Sequence, residues 1–395
     1  MSGHADVVIV GGGVVGSSAA WHLRQDGFTG RIVVIERDPS YARSSSFLAM
    51  GGIRQQFCTP VTVQMVQFSV RLWTVFDQRL GTPSQRPRAW FRQRGYLFLA
   101  NEASADRLQH RYEEEVRAGA VVKKLSVDEI RAMVPDVMLD DIVFGVIGPD
   151  DGYANPKEVL SGFRRAAEDA GAEYVVDEVV AVERDRGRVT GVTLKSGGLV
   201  SCPIVVNAAG PWAGQLASLA GVSVPVEPMR QMLFRCELPQ HWPYRFPMLI
   251  DPDGVHWRHD DPVAASDRDA IILAFTNWNE QPGDNLVPDH ARWSRDFAPA
   301  MVRRLPALAE VSNVTGWAGL YEMTPDHNPV LGLHPSLDGF IFANGFSGHG
   351  LMMSPATGKI VSEIVRLGRP ETFDIGVFAP DRFDRGALIH DAATI

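Results

Sequence analysis

The sequence predicts an α/β fold (α+β overall), in which a Rossmann-type nucleotide-binding domain made of discontinuous segments accompanies a second domain with a mixed β-sheet. Three observations lead to this prediction. A strand, a glycine-rich turn, a helix and a second strand occupy residues 7–36. Two later stretches, residues 178–210 and 339–367, also have the pattern of buried strands. The segments between these stretches alternate short strands with charged, helix-like sequence, which is typical of a separate layer.

The first element is a βαβ unit. Val7–Val10 is a continuous β-branched run, as expected for a strand buried on both faces of a parallel sheet. Residues 17–24 have the apolar spacing of a helix, and residues 31–36 form a second buried strand that ends in Glu36. The unit is about 30 residues long, which is the usual length of this motif.

The turn of this unit carries the pattern Gly11-x-Gly13-x-x-Gly16, and Glu36 follows 20 positions after the last glycine. Gly11 makes the tight turn, Gly13 lets a pyrophosphate approach the backbone, and Gly16 lets the helix pack against the strand. The helix N-terminus offers free N–H groups to the phosphates, and Glu36 accepts hydrogen bonds from ribose hydroxyls. The unit therefore predicts a bound ADP moiety and leaves FAD and NAD both open.

The later segments extend this domain. Residues 178–183 and 189–194 are predicted as paired strands, residues 204–210 and 339–345 as buried strands, and residues 355–367 as an amphipathic helix. We expect the remaining segments to form a second domain that covers the cofactor, since small ligands usually bind between domains. The predicted ranges are 1–85, 151–224 and 318–395 for the nucleotide-binding domain, and 86–150 and 225–317 for the substrate domain.

Composition narrows the class of protein. The 395 residues are 45% hydrophobic and 22% charged, with a net charge of −9, which suits a globular chain and argues against a nucleic-acid partner. The cysteines Cys58, Cys202 and Cys236 form no CxxC pair, so neither disulfides nor a metal site are predicted. The sequence shows no signal peptide and no apolar run of the ~20 residues that a membrane span needs. We therefore expect a soluble, cytoplasmic protein.

Six motifs give the chain a resemblance to a known family. They are residues 44–46 (SSS), 51–57 (GGIRQQF), 207–212 (NAAGPW), 225–231 (PVEPMRQ), 319–326 (GLYEMTPD) and 345–350 (GFSGHG). As an ordered set they resemble the D-amino-acid-oxidase superfamily, in the branch of sarcosine oxidase, dimethylglycine dehydrogenase and related FAD-dependent oxidoreductase-domain proteins. The resemblance runs from about Asp6 to Leu367.

The resemblance implies FAD in an extended conformation, with its ADP half on the first βαβ unit. Reduced flavin is anionic, so helix-terminal N–H groups and an arginine near it stabilise it, and Arg54 is the candidate, with a surface salt bridge as the alternative. The implied cofactor contacts are Gly11, Gly13, Val15, Gly16, Glu36, Arg37, Ser44, Ser45, Met50, Gly51, Val179, Ala209, Gly210, Trp212, Gly319, Gly345, Phe346, Ser347, Gly348, His349, Gly350, Leu351 and Met352.

The chain departs from the family at positions that matter for chemistry. Gly319 stands where relatives with covalent flavin have a cysteine, and no histidine occurs in residues 41–57, so the FAD is predicted to be non-covalent. Residues 270–275 lack the lysine that assists oxygen reduction in sarcosine oxidases. Oxygen, a quinone and a protein therefore all remain open as electron acceptors.

The substrate side differs as well. Met352 and Phe57 stand where monomeric sarcosine oxidases hold the substrate carboxylate with two cations. Either Arg258 takes over this role or the substrate has no small free carboxylate there. The resemblance implies Tyr321 on the substrate face of the flavin, while Glu322 either pairs with an amine or caps neighbouring backbone. His349 is expected to be structural rather than a catalytic base.

We therefore predict an FAD-dependent amine or amino acid oxidase or dehydrogenase. It would oxidise the C–N bond of a secondary or tertiary amine, such as a sarcosine-, dimethylglycine- or cyclic amino acid-like compound, by hydride transfer to flavin N5. The alternatives are an FAD-dependent 2-hydroxy acid dehydrogenase and a flavin-bearing partner subunit without independent activity, because fold alone does not determine function.

Overall fold

The computed structural model describes residues 3–392 except for 82–84, 240, 243 and 261–268. The predicted domain ranges also include residues 1–2 and 393–395, which lie outside the described residues together with these internal gaps. The strands are β1 (Gly3–His4), β2 (Val7–Val10), β3 (Ile32–Glu36), β4 (Gly52–Ile53), β5 (Tyr96–Asn101), β6 (Lys123–Leu125), β7 (Ile142–Gly148), β8 (Gly152–Tyr153), β9 (Glu173–Val176), β10 (Val179–Asp185), β11 (Arg188–Leu194), β12 (Leu199–Ser201), β13 (Val205–Asn207), β14 (Glu227–Glu237), β15 (Met248–Ile250), β16 (Val255–His259), β17 (Ala270–Phe275), β18 (Ser312–Met323), β19 (Val330–Leu333) and β20 (Phe340–Asn344). The α-helices are α1 (Val14–Gln25), α2 (Ser45–Leu48), α3 (Pro60–Trp73), α4 (Phe76–Arg79), α5 (Ala105–Arg117), α6 (Val127–Met133), α7 (Pro156–Asp169), α8 (Ala213–Leu219), α9 (Ala298–Arg304) and α10 (Gly350–Leu367).

A six-stranded sheet forms the nucleotide-binding layer, in the order β19-β20-β13-β2-β3-β9. Five of these strands are parallel, and only the edge strand β19 runs antiparallel to its neighbour. The strands come from three separated parts of the chain, as the sequence predicts. The mixed α/β fold class is thereby confirmed.

The apolar run in β2 is explained by burial on both faces of this sheet. Ile9 packs in a cluster with helix residues such as Ala19 and Ile360, from α1 and α10. Its neighbour Val8 packs in a different cluster on the opposite face, which includes Leu216 of α8. Because both faces are covered by protein, the strand shows no polar alternation.

An eight-stranded mixed sheet forms the second layer, in the order β18-β14-β17-β16-β15-β5-β7-β6. Its strands are antiparallel except for the pair β15–β5. Residues 86–150 supply three of these strands together with helices α5 and α6, so this segment is less helical than its charge pattern indicates. The domain boundary predicted at residue 318 falls inside strand β18.

Helix α10 begins five residues before the predicted start at Pro355, which was therefore wrong. A proline inside a helix cannot donate a backbone hydrogen bond to the carbonyl four residues earlier. Here the hydroxyl of Ser354 donates to the Leu351 carbonyl at 2.9 Å instead. The helix continues through Pro355 and starts directly after the turn of residues 345–349.

The three cysteines are all free. Burial raises the pKa of Cys58, Cys202 and Cys236 to about 12 in each case. No helix in the described part of the chain is long and apolar enough to cross a membrane.

Candidate active site

A cavity of about 700 Å³ lies where the carboxyl ends of parallel strands in the six-stranded sheet meet one face of the eight-stranded sheet. Three lining residues come just after strands of the sheet. Gly11 directly follows β2, Arg37 directly follows β3, and Ala209 lies two residues after β13. Ligands of open α/β sheets bind at this edge of the sheet. The cavity therefore occupies the place that the βαβ unit predicts for a dinucleotide.

The glycine-rich turn is built by close contacts. Gly11 has φ +103°, and a Cβ atom there would lie 2.3 Å from the Ala208 carbonyl oxygen. A Cβ atom at Gly16 would lie 2.0 Å from the Gly11 oxygen, so Gly16 packs helix against turn and does not line the cavity. Gly13 does line it, and its nearest neighbour, Ser46 Oγ, would be 3.5 Å from an added Cβ. The backbone at Gly13 is thus open to a pyrophosphate.

Glu36 ends strand β3 at the cavity wall. Its Oε2 accepts the Gly12 N–H at 2.8 Å, and its Oε1 accepts the Asp38 N–H at 2.9 Å. A carboxylate has about four acceptor positions, so two of them remain for other donors. This geometry fits the hydroxyls of a ribose.

The turn before α10 supplies the opposite wall. The lining residues of this turn and of the start of α10 run from Ser347 to Met352, and Ser347 and Gly348 both have positive φ, at +49° and +98°. Gly345 and Phe346 do not line the cavity; the Gly345 N–H donates to Glu322 Oε2 at 3.0 Å, and Phe346 is fully buried. The first turn of α10, where backbone N–H groups lack partners within the helix, therefore borders the cavity on this side.

Arg54 is only 1% exposed, yet it lines the cavity. Its Nη1 donates to the Gln56 carbonyl, its Nη2 lies 3.2 Å from His349 Nε2, and its guanidinium carbon lies 4.2 Å from the centre of the Phe57 ring. Burial lowers the pKa of Arg54 to about 10, so the side chain keeps its charge at neutral pH. Among the described lining residues, Arg54 is the arginine at the end of the cavity beside His349, since the other two, Arg37 and Arg43, lie beside Trp212.

The histidine beside Arg54 is held neutral. Arginine can only donate hydrogen bonds, so His349 Nε2 must accept this one. Burial, and then the charge of Arg54, keeps the pKa of His349 well below its usual value. This agrees with the expectation that His349 is structural rather than a catalytic base.

The eight-stranded sheet contributes lining residues that the sequence analysis missed. They include Tyr96, Gln231, Met248, His256 and Thr276. They lie on five different strands or strand ends. Alternation along a strand shows which residues share a face of the sheet, but it does not show which of them line a cavity. Burial raises the pKa of Tyr96 to about 12 and lowers the pKa of His256 to about 4.

Tyr321 and Glu322 are neighbours on strand β18, and both line the cavity. A Cβ atom at Gly348 would lie 2.7 Å from the Tyr321 ring, so the tyrosine packs directly on the turn before α10. Burial raises the pKa of the Tyr321 hydroxyl. Burial also raises the pKa of Glu322 to about 7, although the N–H groups of Gly345 and Phe346 oppose this shift.

The structure does not bring Arg258 to the cavity wall. Its Nε donates to the Met50 carbonyl at 2.6 Å, and its Nη1 donates to the His259 carbonyl at 2.6 Å. Met50 itself does line the cavity. Arg258 therefore supports the backbone behind the wall.

Every other cofactor or catalytic residue predicted from the sequence lines this one cavity, the exceptions being Gly16, Gly345, Phe346 and Arg258. The glycine turn, the Glu36 carboxylate, and the N-termini of α1 and α10 together match an extended dinucleotide with an anionic pyrophosphate. No cysteine is found among the described lining residues, and Gly319 is one of them. The residues present thus fit non-covalent FAD.

Comparisons with known proteins agree with this fit. The model of the DAO family, described as FAD dependent oxidoreductase, matches residues 6–364. FAD-dependent oxidoreductase domain-containing protein 1 of Xenopus laevis is 33% identical, over 96% of this chain and 82% of that protein. Sarcosine oxidase subunit beta of Rhizobium meliloti (strain 1021) is 25% identical, over 98% and 90% of the two chains. The crystal structure of L-proline dehydrogenase from P. horikoshii is similar with a TM-score of 0.87 and 28% identity, over 98% of this chain and 100% of that chain.

The family match covers most of the chain, and its motifs line one cavity that suits the cofactor. The resemblance inferred from the sequence is confirmed: the chain belongs to the DAO family and is an FAD-dependent oxidoreductase.

Proposed function

We propose that the enzyme oxidises the C–N bond of a secondary or tertiary amine or of an amino acid, with sarcosine-, dimethylglycine- and proline-like compounds as the first substrates to test. Two of the similar proteins are named for sarcosine and for L-proline, which supports this class. FAD, when bound, supplies the acceptor for a hydride equivalent. The protein's own task is to bind the substrate, orient its C–H bond and exclude water.

The observation that carries the proposal is the weak basicity of the two histidines that line the cavity near Arg54. The pKa of His256 is about 4, and that of His349 is well below its usual value. An effective general base has a pKa near the working pH, so neither residue suits proton removal from a hydroxyl group. A neutral amine needs no such base, because its nitrogen lone pair already activates the neighbouring C–H bond.

Arg54 and Tyr321 are the residues that we propose to act on the reacting groups. Arg54 brings a buried positive charge, which stabilises either a substrate carboxylate or the negative charge that FAD gains on reduction. Tyr321 presents a hydroxyl whose raised pKa keeps it protonated, so that it can donate a hydrogen bond to the substrate. Since Arg258 is engaged by two carbonyl groups behind the wall, we do not assign it the substrate carboxylate.

One observation favours a second function, the oxidation of a 2-hydroxy acid. Glu322 lines the cavity, and its pKa of about 7 is that of an effective general base at neutral pH. Its Oε2, however, accepts the N–H of Gly345. Side chains of strand neighbours leave the strand on opposite faces, so Glu322 borders a different part of the cavity from Tyr321, although both residues line it. We therefore rank this function second.

An anaerobic substrate panel tests both functions. The FAD absorbance of the purified holoenzyme is followed after addition of sarcosine, dimethylglycine, L-proline, D-alanine and DL-lactate, with buffer alone as the control. We expect bleaching by one or more amines and none by lactate. Bleaching by lactate alone would select the hydroxy acid function, and no bleaching by any compound would favour a partner subunit without independent activity.

Admission of oxygen to the same cuvette tests the electron acceptor. No lysine is found among the described residues that line the cavity, and strand β17 contains none. We therefore propose a dehydrogenase that transfers electrons to a quinone or a protein and reacts slowly with oxygen. Rapid return of the oxidised FAD spectrum on mixing with air would instead identify an oxidase.

A further inference from the structure

Asp284 connects two side chains of the cofactor cavity without lining the cavity itself. Nη2 of Arg43 lies 2.7 Å from both carboxylate oxygens of Asp284. The indole N–H of Trp212 donates to Oδ2 of the same carboxylate at 3.1 Å. Arg43 and Trp212 both line the cavity, at the end that contains Glu36 and the glycine turn. One carboxylate thus holds together two walls of this end.

A third lining residue belongs to the same group. The guanidinium carbon of Arg37, which follows strand β3, lies 3.8 Å from the centre of the Trp212 ring. Stacked arginine and tryptophan attract each other through a cation–π interaction. The hydrogen bond from Trp212 to Asp284 therefore also fixes the ring against which Arg37 stacks.

Asp284 comes from the other layer of the molecule, on the loop that follows strand β17 of the eight-stranded sheet. Arg230 of strand β14 anchors this loop on both sides of Asp284. It binds the Glu280 carboxylate at 2.8 Å and donates to the Val287 carbonyl at 2.7 Å. The N–H of Gly283 also donates to the Pro228 carbonyl at 2.8 Å. The loop therefore presents Asp284 in one position toward Arg43 and Trp212.

We propose that Asp284 is a latch that closes the nucleotide end of the FAD cavity, and that its contacts with Arg43 and Trp212 must break before FAD enters or leaves. Asp284 is then a positioning residue that controls the rate of cofactor exchange. The inference rests on FAD dependence and is independent of the substrate. Although burial alone would raise it, hydrogen bonds from Arg43 and Trp212 hold the pKa of Asp284 below its usual value, so the latch is charged at neutral pH.

The rate of FAD release from the holoenzyme tests the latch. Asp284→Asn removes the charge with little change in shape, and release is followed by the fluorescence of free FAD after dilution. An isolated exposed ion pair contributes little to stability, so a matched control is needed. Glu173→Gln provides it, since Glu173 pairs with Arg31 at 2.7 Å with similar exposure and does not line the cavity.

We expect FAD to leave the Asp284→Asn variant about three- to tenfold faster than the wild type, and the Glu173→Gln variant at the wild-type rate. Raising the ionic strength should accelerate release from the wild type and from Glu173→Gln, but not from Asp284→Asn. Equal release rates for wild type and Asp284→Asn, or equal acceleration by both substitutions, would overturn the proposal.

A double-mutant cycle gives a second test that does not depend on one variant. Arg43→Gln and Asp284→Asn break the same contact, so we expect the double variant to release FAD no faster than the faster single variant. Trp212→Phe keeps the aromatic ring under Arg37 but removes the donor to Asp284, and it should also accelerate release. Fully additive effects of the Arg43 and Asp284 substitutions would show that the two side chains act separately and would refute the latch.

Discussion

The Nη2 atom of Arg54 lies 3.2 Å from the Nε2 atom of His349, although the two residues are 295 positions apart in the chain. Because arginine only donates, the histidine must accept with a neutral ring. The contact joins the loop after β4 to the first residue before α10, so it holds the two sides of the cavity at a fixed distance. The neutral ring gives the buried guanidinium a hydrogen-bond acceptor without adding a second positive charge.

This relationship predicts the behaviour of His349 variants. His349→Ala should lower kcat/KM by about tenfold or more, because a buried charge-assisted hydrogen bond is lost. His349→Gln should restore part of the activity, since its amide oxygen can accept from Arg54. The pKa of His349 is well below its usual value, so the pH profile of kcat/KM between about pH 6 and 8 should have the same shape in the wild type and in His349→Gln. Loss of an inflection in this range in the glutamine variant would contradict the neutral histidine.

Glu322 predicts a pH-dependent stability difference. Burial raises the pKa of its carboxyl from the ordinary 4.5 to about 7. Between these values the unfolded chain ionises while the folded chain does not, so the wild type loses stability as the pH rises toward 7. Glu322→Gln has no such loss. The free energy of unfolding of Glu322→Gln, measured relative to the wild type, should therefore increase by up to about 3 kcal/mol between pH 4.5 and 8.

Urea unfolding of the two holoenzymes at pH 5 and pH 8 measures this difference. Glu310→Gln, at an exposed position, is the control and should follow the wild type at both values. A constant difference between Glu322→Gln and the wild type at all pH values would show that the carboxyl is not held neutral by burial.

Gly348 predicts a specific effect of an added methyl group. Its φ of +98° is unfavourable for alanine, and the Cβ atom would lie 2.7 Å from the Tyr321 ring. Gly119 has a similar φ of +89° with nothing within 4 Å, so Gly119→Ala reports the backbone cost alone, about 1 kcal/mol. Gly348→Ala should cost more stability and also lower kcat/KM at least about tenfold by displacing Tyr321. Equal thermal shifts and equal activity for the two variants would argue against this packing.

The position of Arg258 predicts that its replacement destabilises the protein without changing the preference for substrates with a carboxylate. Arg258→Met removes donors to the Met50 and His259 carbonyls, so it should lower the free energy of unfolding by about 2 kcal/mol and weaken FAD binding. The ratio of KM values for an amino acid and for the corresponding amine without its carboxylate should stay at the wild-type value. A selective rise of KM for the amino acid would show that Arg258 binds the substrate carboxylate.

The sequence predicts the nucleotide half of the site well because its signals are local. Gly11, Gly13 and Glu36 lie within one βαβ unit, where spacing determines which atoms meet. Local sequence signals were not sufficient to predict the position of Arg258. It shares a face of β16 with His256, which lines the cavity, but it is two residues further along and therefore about 7 Å away. Alternation in a strand gives the face of a residue, whereas the position of the cavity along that strand depends on how the two sheets pack.

Contacts between distant segments account for what the sequence analysis missed. His349, one partner of Arg54, lies 295 positions away in the chain. Arg43 and Trp212, the partners of Asp284, are also distant in the chain, and no periodicity links them to it. The start of α10 was missed for a local reason, because proline is common in the first turn of helices, whereas Pro355 lies inside this helix. The contacts of Arg54 and Asp284, by contrast, require the three-dimensional arrangement, because they join atoms from distant parts of the chain.

The strand order of the six-stranded sheet has a consequence for folding during synthesis. Strand β13 lies between β2 and β20, and β20 ends only at residue 344. A nascent chain that has not yet produced β20 therefore exposes β13 as an unpaired edge, which other chains can join. The FAD cavity can close only after the ribosome has made the turn before α10. A chain that stops before the turn of residues 345–349 therefore lacks one wall of the cavity.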